Sequence, residues 1–257
     1  MTNPSSLDGR VAIVTGASRG IGKGLALGLA AAGARVVCAA RTVDAHPEGL
    51  PGTIHETADQ IRKLGGEALA VRCDIGDDSD IAQMVSETRE RFGRIDVLMN
   101  NAMTSTRGLF EETTPDKWDL SMRVNVRSLF TTCQAVLPAM KQNGSGSIIN
   151  MTSGAARHDA AGVPPGYLVY SVAKAAMERF STALALELAP AGIAVNALRP
   201  GAVKTETSAH ELGPDYDFSG WATPDSVVPS VLFLAAQNGS GFTGHVVDAT
   251  EFGDVWP

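Results

Sequence analysis

Short, largely apolar runs rich in β-branched residues alternate with longer stretches of helical periodicity, and this beat admits few folds. Strand-like runs at 11–15, 35–40, 68–73, 97–100, 147–151 and 194–198 are separated by helical patterns ending at 32 and covering 55–64, 78–92, 118–141 and 170–188. Several of the strands lack polar alternation, as expected where crossover helices bury both faces of a sheet. The reading is an α/β fold: a single Rossmann-like, doubly wound parallel sheet with helices on both faces, one domain over residues 1–257. No repeat or Pro/Ser linker divides the chain, and 44% apolar residues with 27 glycines suit a globular fold with many tight turns. Two segments break the beat. One is a Pro/Gly-punctuated loop at 46–53. The other, at 202–223, follows the carboxyl end of a strand, where open α/β sheets bind ligands. It reads as a substrate lid, the alternative being a solvated or oligomer-contact insertion.

A formal net charge of -7 argues against a nucleic-acid binder, so an anionic ligand must be met by local groups. Cys38, Cys73 and Cys133 are odd in number and well separated, which suits a reducing cytoplasm better than a disulfide framework. Neither a secretory leader nor a membrane-spanning run is apparent, and the five histidines lack metal-ligand spacing, so no metal is expected.

The first strand runs into Thr15-Gly16-Ala17-Ser18-Arg19-Gly20-Ile21-Gly22 and then an Ala/Leu-rich helix. Glycines at such a turn let backbone approach a pyrophosphate and aim free N–H groups and the helix dipole at it. The spacing is not G-x-G-x-x-G, and a plain tight turn explains the loop about as well. At the end of the second strand, where an acidic residue would bind the ribose hydroxyls of NAD(H), stand Ala40 and Arg41. Arg41, with Arg19, could pair a 2′-phosphate, so NADP(H) is preferred with NAD(H) possible. Tyr170 and Lys174 lie four apart at a helix start and share a face. A cation beside a phenol favours phenolate, bringing its pKa down from about 10.

Taken in order, the glycine loop, Asp74, Asn100-Asn101-Ala102, Asn125, Ser153, the Tyr170-x-x-x-Lys174 pair and Arg199-Pro200-Gly201 span nearly the whole chain. In these residues the sequence resembles the short-chain dehydrogenase/reductase family. The resemblance implies an NADP(H)-dependent oxidoreductase that interconverts an alcohol and a ketone or aldehyde. Tyr170 would be the general acid/base. Ser153 would donate to the substrate oxygen, Lys174 would also bind the nicotinamide ribose, and Asn125 would hold a water in the proton relay. The cofactor would lie along Gly16, Ser18, Arg19, Gly20, Ile21, Gly22 and Arg41, with Asp74 and Ile75 at the adenine and Asn101 and Ala102 near the adenosine ribose. Pro200, Gly201, Val203 and Thr205 would face the carboxamide end. A homotetramer or dimer is also implied. An epimerase or dehydratase on the same fold, or a non-catalytic NAD(P)-sensing regulator, remain as alternatives.

Three features depart from the family pattern. Met103 stands where a glycine commonly follows Asn-Asn-Ala, and Thr243-Gly244 leads to Asp248 and Glu251-Phe252-Gly253 in place of a simple Asp-Gly-Gly ending. The stretch from Ser153 to Tyr170 is a few residues longer than usual, which leaves Thr152 as an alternative hydroxyl. The substrate pocket is expected between loops at 103–110 and 155–167 and the 202–223 segment, with Tyr216, Phe218 and Trp221 forming an apolar lid. Tyr167 is expected to line that pocket or pack beside it.

Overall fold

The computed structural model describes residues 7–44, 49–159 and 163–257; positions 46–48 of the first irregular loop and 160–162 of the second pocket loop lie outside them. Seven parallel strands form one sheet: β1 (Val11–Thr15), β2 (Arg35–Ala40), β3 (Ala68–Arg72), β4 (Val97–Asn100), β5 (Gly146–Met151), β6 (Ile193–Arg199) and β7 (Val246–Asp248). Their order is β3-β2-β1-β4-β5-β6-β7. The chain leaves β3 at one edge and re-enters beside β1 as β4, so the loops after β1 and β4 diverge and open a crevice at the strands' carboxyl ends.

Residue alternation along each strand sends side chains into two cores. Val14, Val36 and Cys38 pack with Leu25 and Leu29 of α1 (Gly20–Ala31), Ile54 and Ile61 of α2 (Ile54–Lys63), and Val231 and Leu234 of α8 (Val228–Ala235). Ile13, Val37 and Ala39 point the other way, toward Ile81 and Met84 of α3 (Asp78–Phe92), Cys133 and Val136 of α5 (Ser128–Asn143), and Leu188 of α6 (Leu168–Leu188). Burying each such aliphatic side chain stabilises the fold by roughly 1.5–3 kcal/mol, which is why neither face shows polar alternation in the sequence.

A buried polar chain fixes α5 and α6 against the sheet. Asn100 Nδ2 donates to Asn150 Oδ1 at 2.9 Å, Thr132 Oγ1 donates to Asn100 Oδ1 at 3.0 Å, and Asn150 Nδ2 donates to Ser181 Oγ at 2.8 Å. Such bonds have strict geometry and leave costly unpaired groups if the helix slides, so they set the height of α6 on the sheet.

Three sequence expectations change in detail. The helix expected over 118–141 is α4 (Pro115–Met122) joined to α5 through a π-helical turn at Arg123–Arg127. The 202–223 stretch holds a helix, α7 (Glu206–Leu212), started by the Thr205 hydroxyl, which accepts from Ser208 N at 3.1 Å. Its two ends are tied, with Val203 bridged to Ala222, so the intervening chain is an excursion from a closed neck. Strand β7 has only three residues, too few to give a pattern. Among the described residues no helix is long and apolar enough to cross a membrane.

Candidate active site

The glycine loop leaves β1 under tight constraint. Gly16 has φ +70°, and a Cβ there would lie 2.8 Å from Asn101 Nδ2, while one on Gly22 would fall 2.1 Å from the Gly16 carbonyl oxygen. The loop and the end of β4 are locked together. Asn101 Nδ2 donates to the Thr15 carbonyl at 2.9 Å, and Thr15 Oγ1 accepts from the amides of Asn101 and Ala102 at 3.0 and 3.1 Å. Ser18 is buried, and Ile21 packs on the core beneath α1.

Arg19 reaches sideways under the loop after β2, donating to the carbonyls of Pro51 and Gly52 at 2.8 and 2.9 Å and to Thr42 Oγ1 at 3.3 Å. Burial lowers its pKa, Glu206 opposes that, and the nearby positive charge of Arg41 lowers it further. Arg19 is thus anchored beside the loop after β2, and Arg41, at the end of that strand, is exposed. The start of α1 accepts an anion in this structure: the amide of Gly20 donates to Glu206 Oε2 at 2.9 Å. A dinucleotide phosphate fits a loop that already holds a carboxylate.

Across the crevice, Ser153 follows β5 and Tyr170 lies in the first turn of α6. The Ser153 side chain lies close enough to the Tyr170 phenol to act on its pKa. Ser153 Oγ accepts from Ala155 N at 3.2 Å, closing the short turn at Gly154–Ala156 that follows β5. Thr152 is occupied elsewhere, its buried hydroxyl donating to Glu178 Oε1 at 3.0 Å and to the Lys174 carbonyl at 3.3 Å. Lys174 is fully buried one turn beyond Tyr170, and its Nζ donates to the Met151 carbonyl at 2.7 Å.

The expected effect of Lys174 on Tyr170 does not hold in this structure. Burial pushes the Tyr170 phenol above its ordinary value; the nearby Ser153 side chain and the charge of Arg107 pull it back, while Tyr167 and Glu211 raise it. Burial also pulls the Lys174 amine down to about 7, and its Nζ lies 5.7 Å from the Tyr170 ring centroid. The physical reason is that both groups are desolvated, and burial disfavours the charged form of each.

Other expected contacts sort differently. Both amide protons of Asn125 are engaged, to the Thr104 carbonyl at 2.9 Å and Ser121 Oγ at 3.1 Å, while its Oδ1 accepts from Thr104 N at 2.9 Å. This side chain holds the loop after β4 to the π-helical turn. Asp74 Oδ1 accepts from Gly76 N at 2.9 Å, shaping the turn that precedes α3, and Ile75 packs on the core. Pro200 is half-buried and Gly201, at φ +79°, turns the chain out of β6 toward Val203. Arg199 forks onto Glu178 with two 2.8 Å bonds and reaches Asp248 at 3.3 Å, so its role is to brace β6 against α6 and β7. Tyr216, Phe218 and Trp221 pack edge-on upon one another, with centroids 4.8–5.7 Å apart. They form a small core of the 202–223 segment. A cleft of about 480 Å³ beside it is lined by Lys204, Tyr216 and Phe218 among others, and by none of Ser153, Tyr170 or Lys174.

The model of the family described as short chain dehydrogenase matches residues 10–214. The chain belongs to that family. Among its curated relatives, hydroxysteroid dehydrogenase-like protein 2 of Bos taurus is 37% identical over 256 residues, covering 96% of this chain and 58% of that protein. The chain thus spans a little over half the length of that relative. The (2S)-[(R)-hydroxy(phenyl)methyl]succinyl-CoA dehydrogenase subunit BbsD of Thauera aromatica is 34% identical, covering 94% of this chain and 95% of the relative. A solved short chain dehydrogenase from Burkholderia cenocepacia, in complex with NADP, superposes with a TM-score of 0.80 at 29% identity, covering 94% of this chain and 96% of the other.

In this short-chain dehydrogenase, three side chains that sequence reasoning passed over also border the site. Arg107 stacks 4.7 Å over the Tyr167 ring and pairs with Glu211 of α7 at 2.8 Å, and Glu206 sits on the glycine loop. Their partners are far away in sequence, and no local spacing announces them.

Proposed function

We propose that this chain is an NADP(H)-dependent oxidoreductase interconverting an alcohol and a ketone or aldehyde, with residues 1–257 acting as one unit and 202–223 as its substrate lid. The observation that carries this reading is the meeting of Ser153 with Tyr170 at the carboxyl end of the sheet, one helical turn from buried Lys174. A bound nicotinamide dinucleotide supplies the hydride. Tyr170 gives a proton to the carbonyl oxygen or takes one from the alcohol, and Ser153 donates to the same oxygen as charge develops on it. Lys174 orients the nicotinamide ribose, whose hydroxyls give the buried amine polar partners. Asn125 acts as a positioning residue for the loop after β4.

Preference for NADP(H) is supported by Arg41 and Arg19 at the end of β2 and by the NADP complex of the Burkholderia relative. Titrating the protein's binding of NADPH and NADH by fluorescence tests it. NADPH should bind more tightly by tenfold or more, and Arg41→Asp should remove most of that margin, since a charge-assisted pair to phosphate contributes about 1.5–3 kcal/mol. Equal affinities for the two nucleotides, or a preference untouched by the substitution, would refute the arginine assignment. Net NADPH turnover with a carbonyl substrate separates an oxidoreductase from an epimerase or a sensor.

Two further parts of the reading concern assembly and location. Phe130 on α5 and Val172 and Leu186 on α6 expose apolar surface, 54%, 42% and 79% respectively, which supports a homo-oligomer, dimer or tetramer, built on those helices. The three cysteines are free and buried, which suits the reducing cytoplasm.

A further inference from the structure

The start of α1 lacks a local cap. Its N-cap residue, Arg19, makes no side-chain capping bond, and no acidic residue occupies the first turn. An uncapped helix start with a glycine-rich approach has free amides and positive potential, the properties that recommend it as a phosphate site. In this structure the group that meets it comes from 186 residues away: Glu206, the first residue of α7, accepts from Gly20 N at 2.9 Å. The contact is close-fitting. A Cβ on Gly20 would stand 3.1 Å from Thr205 Cγ2 and 3.7 Å from Glu206 Oε2, so the beginning of α7 lies directly on the loop. The far end of α7 is held separately, by Glu211 on Arg107 at 2.8 Å.

A carboxylate and a phosphate cannot share one amide without strong repulsion. We infer that Glu206 is an internal occupant of the phosphate position at the start of α1, and that a dinucleotide binds by displacing it, moving the first turn of α7 off the glycine loop. The inference rests on the nucleotide-binding reading above. Glu206 then lowers nucleotide affinity by the free energy of its own contact, and couples occupation of the glycine loop to the position of the lid.

Glu206→Gln tests this without threatening the fold, because glutamine keeps the length and the acceptor oxygen while removing the charge. NADPH should bind the variant about tenfold more tightly than wild type, equivalent to about 1.4 kcal/mol. Adenosine 2′-monophosphate, which carries the 2′-phosphate but no pyrophosphate, should bind both proteins within about twofold, as a screened, more distant charge would allow. Unchanged or weaker NADPH binding by the variant, with wild-type binding intact, overturns the inference alone, as does equal tightening of both ligands. Failure of wild type and variant alike to bind NADPH overturns the nucleotide-binding reading and the inference with it.

Discussion

Tyr170→Phe is expected to lower kcat for carbonyl reduction about 10³-fold while leaving the NADPH dissociation constant within about twofold. The substitution removes one hydroxyl and little else. The ring keeps its edge-on contact with Tyr167, at 6.1 Å between centroids, and its place in the first turn of α6. What disappears is the proposed proton donor, the hydroxyl beside Ser153. Because burial raises the phenol's pKa in the free protein, Tyr170 is protonated near neutrality, the form a reductive step needs. Presteady-state reduction with saturating NADPH should therefore show the loss in the chemical step. A variant retaining a tenth or more of the wild-type rate would remove Tyr170 from the proton transfer and leave Ser153 or a water as the donor.

How far the sequence disclosed this molecule depends on how local each signal is. Strands β1, β2 and β4 could be bounded to the residue because both of their faces are buried and the flanking turns carry glycine or polar residues. The parallel, doubly wound character of the sheet followed from the strand–helix beat. The pairing of Ser153 with Tyr170 was also foreseeable: one lies at a strand exit and the other at a helix start, and in a parallel sheet both fall at the carboxyl end. The π-helical turn at Arg123–Arg127 was not legible, since its residues fit a helix of ordinary pitch equally well. Nor was the fate of Asn125, whose three bonds depend on where the loop at Thr104 comes to rest. Glu206 looked like one more acidic residue in an irregular stretch until α7 and the glycine loop met. The burial of Lys174 was missed for a related reason: i,i+4 spacing gives proximity to Tyr170 and says nothing about desolvation.

That desolvation makes Lys174→Met the more revealing substitution. Methionine fills a similar volume without a charge, so the variant should lose about 10²-fold or more in kcat and yet be the more stable protein at pH 7. The unfolded chain holds the lysine proton up to its ordinary value of 10.5, whereas the folded protein releases it near 7. Between those values the unfolded state binds more protons, so rising pH favours folding, by at most about 1.4 kcal/mol per pH unit. Wild type should therefore gain stability on the variant from pH 7 upward, and the variant's lead should shrink. Cys38, Cys73 and Cys133 act in the opposite sense: burial pushes their pKa from 9.0 to about 12, so unfolding releases protons above pH 9 and stability falls there. Both proteins share the thiols, and the difference between them isolates the lysine. Urea unfolding at pH 7, 8 and 9 measures that difference. An advantage to the variant of about 2 kcal/mol at pH 7 that declines toward pH 9 is the expected result, the loss of the bond to the Met151 carbonyl being the smaller, opposing effect. A variant less stable than wild type at pH 7, or a difference that does not change with pH, would mean that the amine stays charged in the fold. In that case the cation would act on Tyr170 after all, and the sequence-based expectation of a lowered phenol pKa would be restored.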